Sequence, residues 1–453
     1  MTTQSSKKVQ ALKQKLKRKG VRYAIAGYVD MHGVSKGKNV PIEYFDRMMG
    51  GSELCTGAAL DGVPQEVNDE EVSAHPDPDS AMILPWNREV VWFASDLWCE
   101  GKPFEPCSRN ILRRQREKAA KMGFIFNLGI ETEFFVLRED ESGEYVPVSE
   151  QDNVDKPVYD TRLMLHNYGW LDEVVSSMNE LGWGVFSFDK EDTNGQWETD
   201  FAYADALTMS DRFTFFRLMV KEICRNHGLL ATFMPKPWSD RTGSGAHYNM
   251  SLADKKTGKN LFKDPKDKRK CGFSKLGYQF IAGILKHAEA IAAITCPTVN
   301  SYKRLVIQGS MTGFTWAPAY ICYGGNNRTN MLRIPLGGER VESRAADIAC
   351  NAYLGSAMML AAGLEGIKNK IDPGEPHMEN VYVKTPAQLK REKIRVLPRN
   401  LEEAMDSLEA DPLSEKVLGP AMLKAIVDFR RQEWKDYHNH ISDWERKRYL
   451  NFY

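Results

Sequence analysis

The chain has no apolar run near the roughly 18 residues that a membrane-spanning helix requires, so no such span is expected. It has no net charge either: 61 Lys plus Arg offset 61 Asp plus Glu. No global field then draws it to nucleic acid or an anionic membrane, and neither is expected as a partner. Its eight cysteines are scattered, with no CxxC pair, which fits packing residues kept reduced in a cytoplasmic protein. The N-terminus is polar and basic with no apolar segment behind it, unlike a secretory signal. There is no GxxxxGK[ST] loop, strand-linked GxGxxG, GxSxG elbow or zinc signature. If a nucleotide is used, metals and arginines have to hold its phosphates.

What is present is a set of short strand-like runs with polar residues at every second position. In Phe126-Asn127-Leu128-Gly129-Ile130-Glu131-Thr132-Glu133-Phe134, the alternation puts Glu131 and Glu133 on one side. The same period groups His247, Asn249 and Ser251 after the Gly243-Ser244-Gly245 entry, and Arg340, Glu342 and Arg344 further on. Glu191 and Glu198 bracket a turn-rich Asp192-Thr193-Asn194-Gly195-Gln196 and could form a second wall. Carboxylates sharing a face suit two magnesium or manganese ions. Arg304, Arg328, Arg333, Arg340 and Arg344 suit bidentate binding of phosphate and carboxylate. The bland alternatives are a solvated strand face, a satisfied structural histidine and surface salt bridges.

Along the chain, Val21 to Val29 and a run ending near Pro41 read as a hairpin about the turn Asp30-Met31-His32-Gly33. Val9, Leu12 and Leu16 form a thin apolar stripe, expected to dock on the chain's own first domain. The acidic, proline-rich stretch Val63 to Pro85 is expected to be irregular, and a domain boundary falls near Gly101 to Pro106. Helical patterns cover Asn110 to Met122, Leu163 to Leu181, Ala206 to His227, Lys275 to Ile294 and the tail from Leu401. With the strands between them, they predict an α+β catalytic domain over 106–453, after an N-terminal domain over 1–105.

These motifs, together with Gly195-Gln196-Trp197-Glu198, Phe233-Met234-Pro235-Lys236-Pro237 and Asn300-Ser301-Tyr302-Lys303-Arg304-Leu305, resemble the glutamine synthetase family along nearly the whole chain. The resemblance implies an N-terminal β-grasp domain, a catalytic bifunnel built on an antiparallel sheet, and a dodecamer with sites between subunits. It implies one metal on Glu133, Glu191 and Glu198, another on Glu131, His247 and Glu342, and two or three Mg2+ or Mn2+ per site. Arg304 and the backbone at Gly243 would hold glutamate, and Arg344 would sit by its side-chain carboxylate and the transferred phosphate. Arg328, Arg333, Arg340 and Ser251 would hold ATP, with Asn249 standing where the family usually has a phosphate-contacting histidine. The implied reaction is phosphorylation of the γ-carboxylate of L-glutamate by ATP, then displacement of phosphate by an amine.

Two departures bear on the amine. The family's flap glutamate, six positions after the Lys-Arg-Leu arginine, is Ser310 here, and its Asp-Gly-Ser-Ser loop is best matched by Thr56-Gly57-Ala58-Ala59. Both anionic groups that help bind ammonium are missing, which leaves less charge and more room near Thr56, Ser310, Gly313 and Trp316. Together with the Thr315-Trp316-Ala317-Pro318 stretch, this makes the chain look like the branch of the family that ligates methylamine. Ammonia is the alternative acceptor, and a non-catalytic structural relative is the alternative of another class. Tyr382 falls near a regulatory tyrosine of some bacterial members, but its neighbours differ, and no such regulation is expected.

Overall fold

The computed structural model describes residues 3–305 and 317–453. The expected hairpin forms: Tyr23–Val29 pairs antiparallel with Ser35–Pro41, and the Asp30 carboxylate accepts from the backbone N–H of His32 (2.9 Å) and Val34 (3.0 Å) to close the turn. Tyr23–Val29 also pairs in parallel with the long strand Asn87–Cys99, and Val72–Pro76 and Glu53–Cys55 follow on its other side. This mixed sheet grips the helices Thr3–Arg18 and Phe45–Met49 over a core that includes Phe45, Met48 and Phe93, a β-grasp arrangement. Val9 and Leu16 are buried in that core, and Leu12 packs on it.

A second sheet carries the strands singled out in the sequence. Its order is Val185–Lys190, Gln196–Phe201, Phe124–Glu139, Ala246–Asp254, Val341–Ser343, Leu332–Ile334 and Tyr323–Gly325. Phe126, Leu128, Ile130, Phe134 and Val136 point from the 16-residue strand Phe124–Glu139 into the main core, shared with the helices Ser108–Lys121, Ala206–Asn226 and Ala352–Lys368. The last of these is buried on nearly every side, as suits a helix with little polar face. Its N-cap, Asn351, accepts from the N–H of Tyr353 and Leu354, while its amide donates to Asp30 O, Met31 O and Ser108 Oγ. One side chain thus ties the N-terminal hairpin to the helices Ser108–Lys121 and Ala352–Lys368.

Three expectations are corrected. The stretch Val63 to Pro85 contains the strands Val72–Pro76 and Met82–Leu84, stabilised by long-range pairing with Asn87–Cys99 rather than by local pattern. Leu163 to Leu181 divides at Asn167 into Thr161–His166 and Tyr168–Glu180, with the Asn167 side chain accepting from Trp170 Nε1 and donating to Leu163 O. Lys275 to Ile294 divides at His287, whose ring lies 2.7 Å from Asp411, the N-cap of the helix Pro412–Leu418, and 3.2 Å from Glu365 on the helix Ala352–Lys368. All eight cysteines are free thiols. No described helix is long and apolar enough to cross a membrane.

The helix Lys275–Lys286 crosses Ala352–Lys368 so closely that a Cβ at Gly283 would sit 1.9 Å from Ala362 O. Gly283→Ala therefore forces two backbones apart and should cost about 1–3 kcal/mol. Gly169 lies in a helix with open space around it, and Gly169→Ala should be neutral or stabilising by up to about 1 kcal/mol. Thermal or denaturant unfolding of the two variants, with opposite signs expected, checks this.

Candidate functional site

Pairing register, rather than proximity in sequence, assembles the site. Glu133 stands opposite Glu198, and Glu198 opposite Asp189. Glu131 stands opposite His247, while Glu342 lies between Asn249 and Arg333 on its two neighbouring strands. Since side chains of one row share a face, six acidic or imidazole side chains from five strands meet on one surface of the sheet. All but Glu342, which is fully buried, line a cavity of about 500 Å³ together with Glu191, Asp200, Tyr159, Gly243, Arg304, Arg328, Arg340 and Arg344.

His247 is the hub. Its Nδ1 is 3.0 Å from Glu131 Oε2 and 3.7 Å from Glu342 Oε1, and its Nε2 is 3.4 Å from Glu133 Oε1. Glu133 accepts from Gly245 N (2.7 Å) and Gln196 Nε2 (3.3 Å). Close approach here excludes a side chain at 245, since a Cβ would lie 2.6 Å from Arg304 Nη2 and 2.8 Å from His247 Nε2. Glu342 is clamped by Arg333 Nη1 (2.7 Å) and by Arg344. Asn249 bridges the walls, donating to Glu131 Oε1 and accepting from Arg340 Nε, both at 2.8 Å. Arg304, 2% exposed, donates to Ala345 O (2.8 Å) and Arg344 O (3.3 Å).

Crowding sets the protonation of these acids. Burial, reinforced by Glu133, pushes the Glu191 carboxyl up to about 8, and the same two causes drive Glu198 well above the carboxylate range. Burial and the Glu131 charge bring Asp200 to about 7; burial and Glu133 bring Asp189 to about 6. Glu131 goes the other way: burial would raise it, but His247, the Asn249 amide and Arg344 outweigh that and hold it at about 2. Acids raised together by burial and mutual repulsion would gain from a bound cation. Ligand atoms of Glu131, His247 and Glu342 lie within 4.8 Å of one another, as do those of Glu133, Glu198 and His247, and those of Glu131, Glu198 and Asp200. Oxygen donors with one imidazole and no thiolate fit Mg2+ or Mn2+.

Of the residues singled out by sequence, Glu191 lines the cavity but falls outside these tightest groups. Ser251 follows Asn249 on the same strand, off the cavity wall, and Thr56 is exposed at the start of a short turn in the N-terminal domain, also off it. Ser310, Gly313, Thr315 and Trp316 lie outside the described residues. Sequence reading overlooked Asp189 and Asp200. The period-two rule could have found them, since they lie two positions before Glu191 and two after Glu198.

Residues 105–449 match the family described as glutamine synthetase, catalytic domain. The chain belongs to the glutamine synthetase family. It is 42% identical to the glutamate–methylamine ligase of Methyloversatilis universalis, over 97% of this chain and 98% of that one. It is 38% identical to the glutamine synthetase of Rhizobium leguminosarum bv. phaseoli, over 94% and 96%. A solved structure described as a GmaS/ADP complex superposes with a TM-score of 0.89 at 38% identity, covering 97% of this chain and 99% of that one. Such overlap places this family member's carboxylate face in the family's catalytic fold.

The raised carboxyls give a pH signature. The folded protein keeps protons on Glu191 and Asp200 where the unfolded chain, with ordinary values of 4.5 and 3.8, releases them. Their contribution is fully favourable below about 4, declines as pH rises to about 8, and is level above. The metal-free protein should therefore lose thermal stability across pH 6 to 8, and the Tm gain on adding Mn2+ or Mg2+ should grow over the same interval. Differential scanning calorimetry checks this; a cation-induced gain no larger at pH 8 than at pH 6 would contradict it.

Proposed function

We propose that this protein is an ATP-dependent ligase that joins methylamine to the γ-carboxylate of L-glutamate. The observation that carries the reading is one cavity lined by both carboxylates and arginines, in a chain of this family. In the first step a γ-carboxylate oxygen of glutamate attacks the terminal phosphorus of ATP and ADP leaves, giving γ-glutamyl phosphate. In the second, the amine nitrogen attacks the acyl carbon, a proton is lost to a carboxylate or water, and phosphate departs with the C–O bond electrons.

Roles follow from charge. Glu133, Glu191 and Glu198 would hold one divalent cation, and Glu131, His247 and Glu342 another; bound there, the cations neutralise the phosphate oxygens. Arg304, buried with both Nη groups on backbone carbonyls and facing Gly243, would orient the substrate's α-carboxylate. Arg344 would stabilise charge on the transferred phosphoryl group, with Arg328, Arg333, Arg340, Asn249 and Ser251 toward the nucleotide. Residues 1–105 and 106–453 form the two domains in this reading. Thr56, which does not line its own chain's cavity, would serve a neighbouring subunit of a cytoplasmic dodecamer.

The choice of methylamine rests on Ser310 and Thr56 where acids would be expected for ammonium, and on likeness to a methylamine ligase. Asp189 and Asp200 favour a second reading with ammonia as acceptor, because they bring into the cavity the negative charge that Ser310 and Thr56 lack.

An ADP-release assay with glutamate and a panel of ammonia, methylamine, ethylamine and longer amines decides between them. Methylamine should show the highest kcat/KM; ammonia ahead of every alkylamine would reject the proposal. Ser310→Glu should shift the ratio toward ammonia. Glu133→Ala, which leaves the Gly245 N–H without its acceptor while Gln196 Nε2 keeps Gly243 O, should lower kcat by about 100-fold or more while the protein still folds.

A further inference from the structure

Beneath the acidic wall, on the opposite face of its outermost strands, lies a charge that no part of the proposed chemistry uses. Lys190 ends the strand Val185–Lys190, between Asp189 and Glu191, and alternation turns it away from the cavity that both acids line. It is completely buried. Its Nζ donates to three carbonyls of one short loop: Glu191 O (3.2 Å), Thr193 O and Gln196 O (3.2 Å). The Trp197 ring lies against it, 5.7 Å from Nζ to the centroid. The counter-ion is Asp152, 4% exposed, with Oδ2 3.7 Å from Nζ.

Asp152 grips the same loop. Its Oδ2 accepts from Gly195 N (2.7 Å) and its Oδ1 from Asn194 Nδ2 (3.0 Å). The ion pair therefore satisfies both polarities of the loop backbone, carbonyls on the ammonium and an amide on the carboxylate. Gly195 has φ +77°, a conformation most side chains avoid, so the turn cannot relax by simple rotation. Burying a lysine is costly, and an apolar side chain against Trp197 would be the cheaper filling. What the lysine adds is a fixed path for the backbone joining Glu191 to Glu198.

We infer that Lys190, with Asp152, is a positioning residue that holds loop 191–196 so that Glu191 and Glu198 present their carboxylates together to the cation beside Glu133. The inference rests on the proposed cation site. Without the ammonium, Glu191 O loses its donor and Thr193 O and Gln196 O keep only one backbone N–H each, so the loop is tethered at fewer points and two of the three ligands can move apart. Cation affinity falls while the glutamate and nucleotide contacts, made by other segments of the chain, stay in place.

The test is direct Mn2+ binding to the nucleotide-free protein, read from the EPR signal of free Mn2+, on wild type, Glu198→Ala, Lys190→Met, Lys190→Arg and Asp152→Asn. Lys190→Met should bind Mn2+ about 10- to 100-fold more weakly. Its activation constant for Mn2+ should rise in step, while KM for glutamate at saturating Mn2+ stays within about twofold. Lys190→Arg, which keeps a cation, should recover part of the affinity. If wild type binds no Mn2+, or Glu198→Ala binds as wild type does, the cation site is wrong. If Glu198→Ala weakens binding and Lys190→Met does not, the site stands and the positioning role is overturned. Should Lys190→Met fail to fold, Asp152→Asn decides: several-fold weaker binding supports the role, and unchanged binding overturns it.

Discussion

Everything about this site turns on like charge held at short range inside a protein. Glu131, Glu133, Glu191, Glu198, Asp189 and Asp200 line one cavity wall, and repulsion between ionised carboxylates at such separations is severe away from bulk water. The molecule answers in three ways. The arginines supply fixed positive charge, the Gly245 N–H and the Gln196 side-chain amide donate to Glu133, and burial beside like charge holds the Glu191 carboxyl well above its ordinary range. The third answer makes the site responsive, because the binding energy of a cation is partly the relief of that repulsion.

Such a wall is stable only on a stiff support. The strand Phe124–Glu139 pairs along its length with several others and anchors its far face in aromatic and aliphatic core, so its glutamates cannot drift apart. The same logic appears away from the cavity at Arg109. It is 2% exposed and links Asp77, just after the strand Val72–Pro76, and Asp96 of the strand Asn87–Cys99 to Asp211 of the helix Ala206–Asn226, while Tyr353 donates to Asp211 at 2.7 Å. Removing one member of such a cluster strands the others, which makes it a lock on how the first sheet sits against the second.

The arginine wall divides by environment. Arg304 and Arg344 are buried and directed by backbone or carboxylate partners, a setting for groups that must meet a substrate in one orientation. Arg328 and Arg340 are exposed, as suits a nucleotide arriving from solvent. Asn249 joins the two halves: its amide can bond Arg340 and Glu131 at once because it offers both an acceptor and a donor, which a carboxylate or an alkyl side chain at this position could not do.

Much of this was written locally. Period-two alternation is a property of the extended chain, so the pairs Glu131/Glu133 and Arg340/Glu342/Arg344 and the set His247/Asn249/Ser251 were legible from spacing alone, as were the hairpin and the long helices. Helix breaks at Asn167 and His287 were not, because partners distant in the chain decide them. Nor was the part played by Lys190, which in sequence is one more charge in an acidic loop. The sequence by itself determined which side chains share a face and what family of chemistry they serve. Only the tertiary structure decided which faces meet and which loop Lys190 holds. Pairing register joins residues more than a hundred positions apart, and no local pattern encodes it.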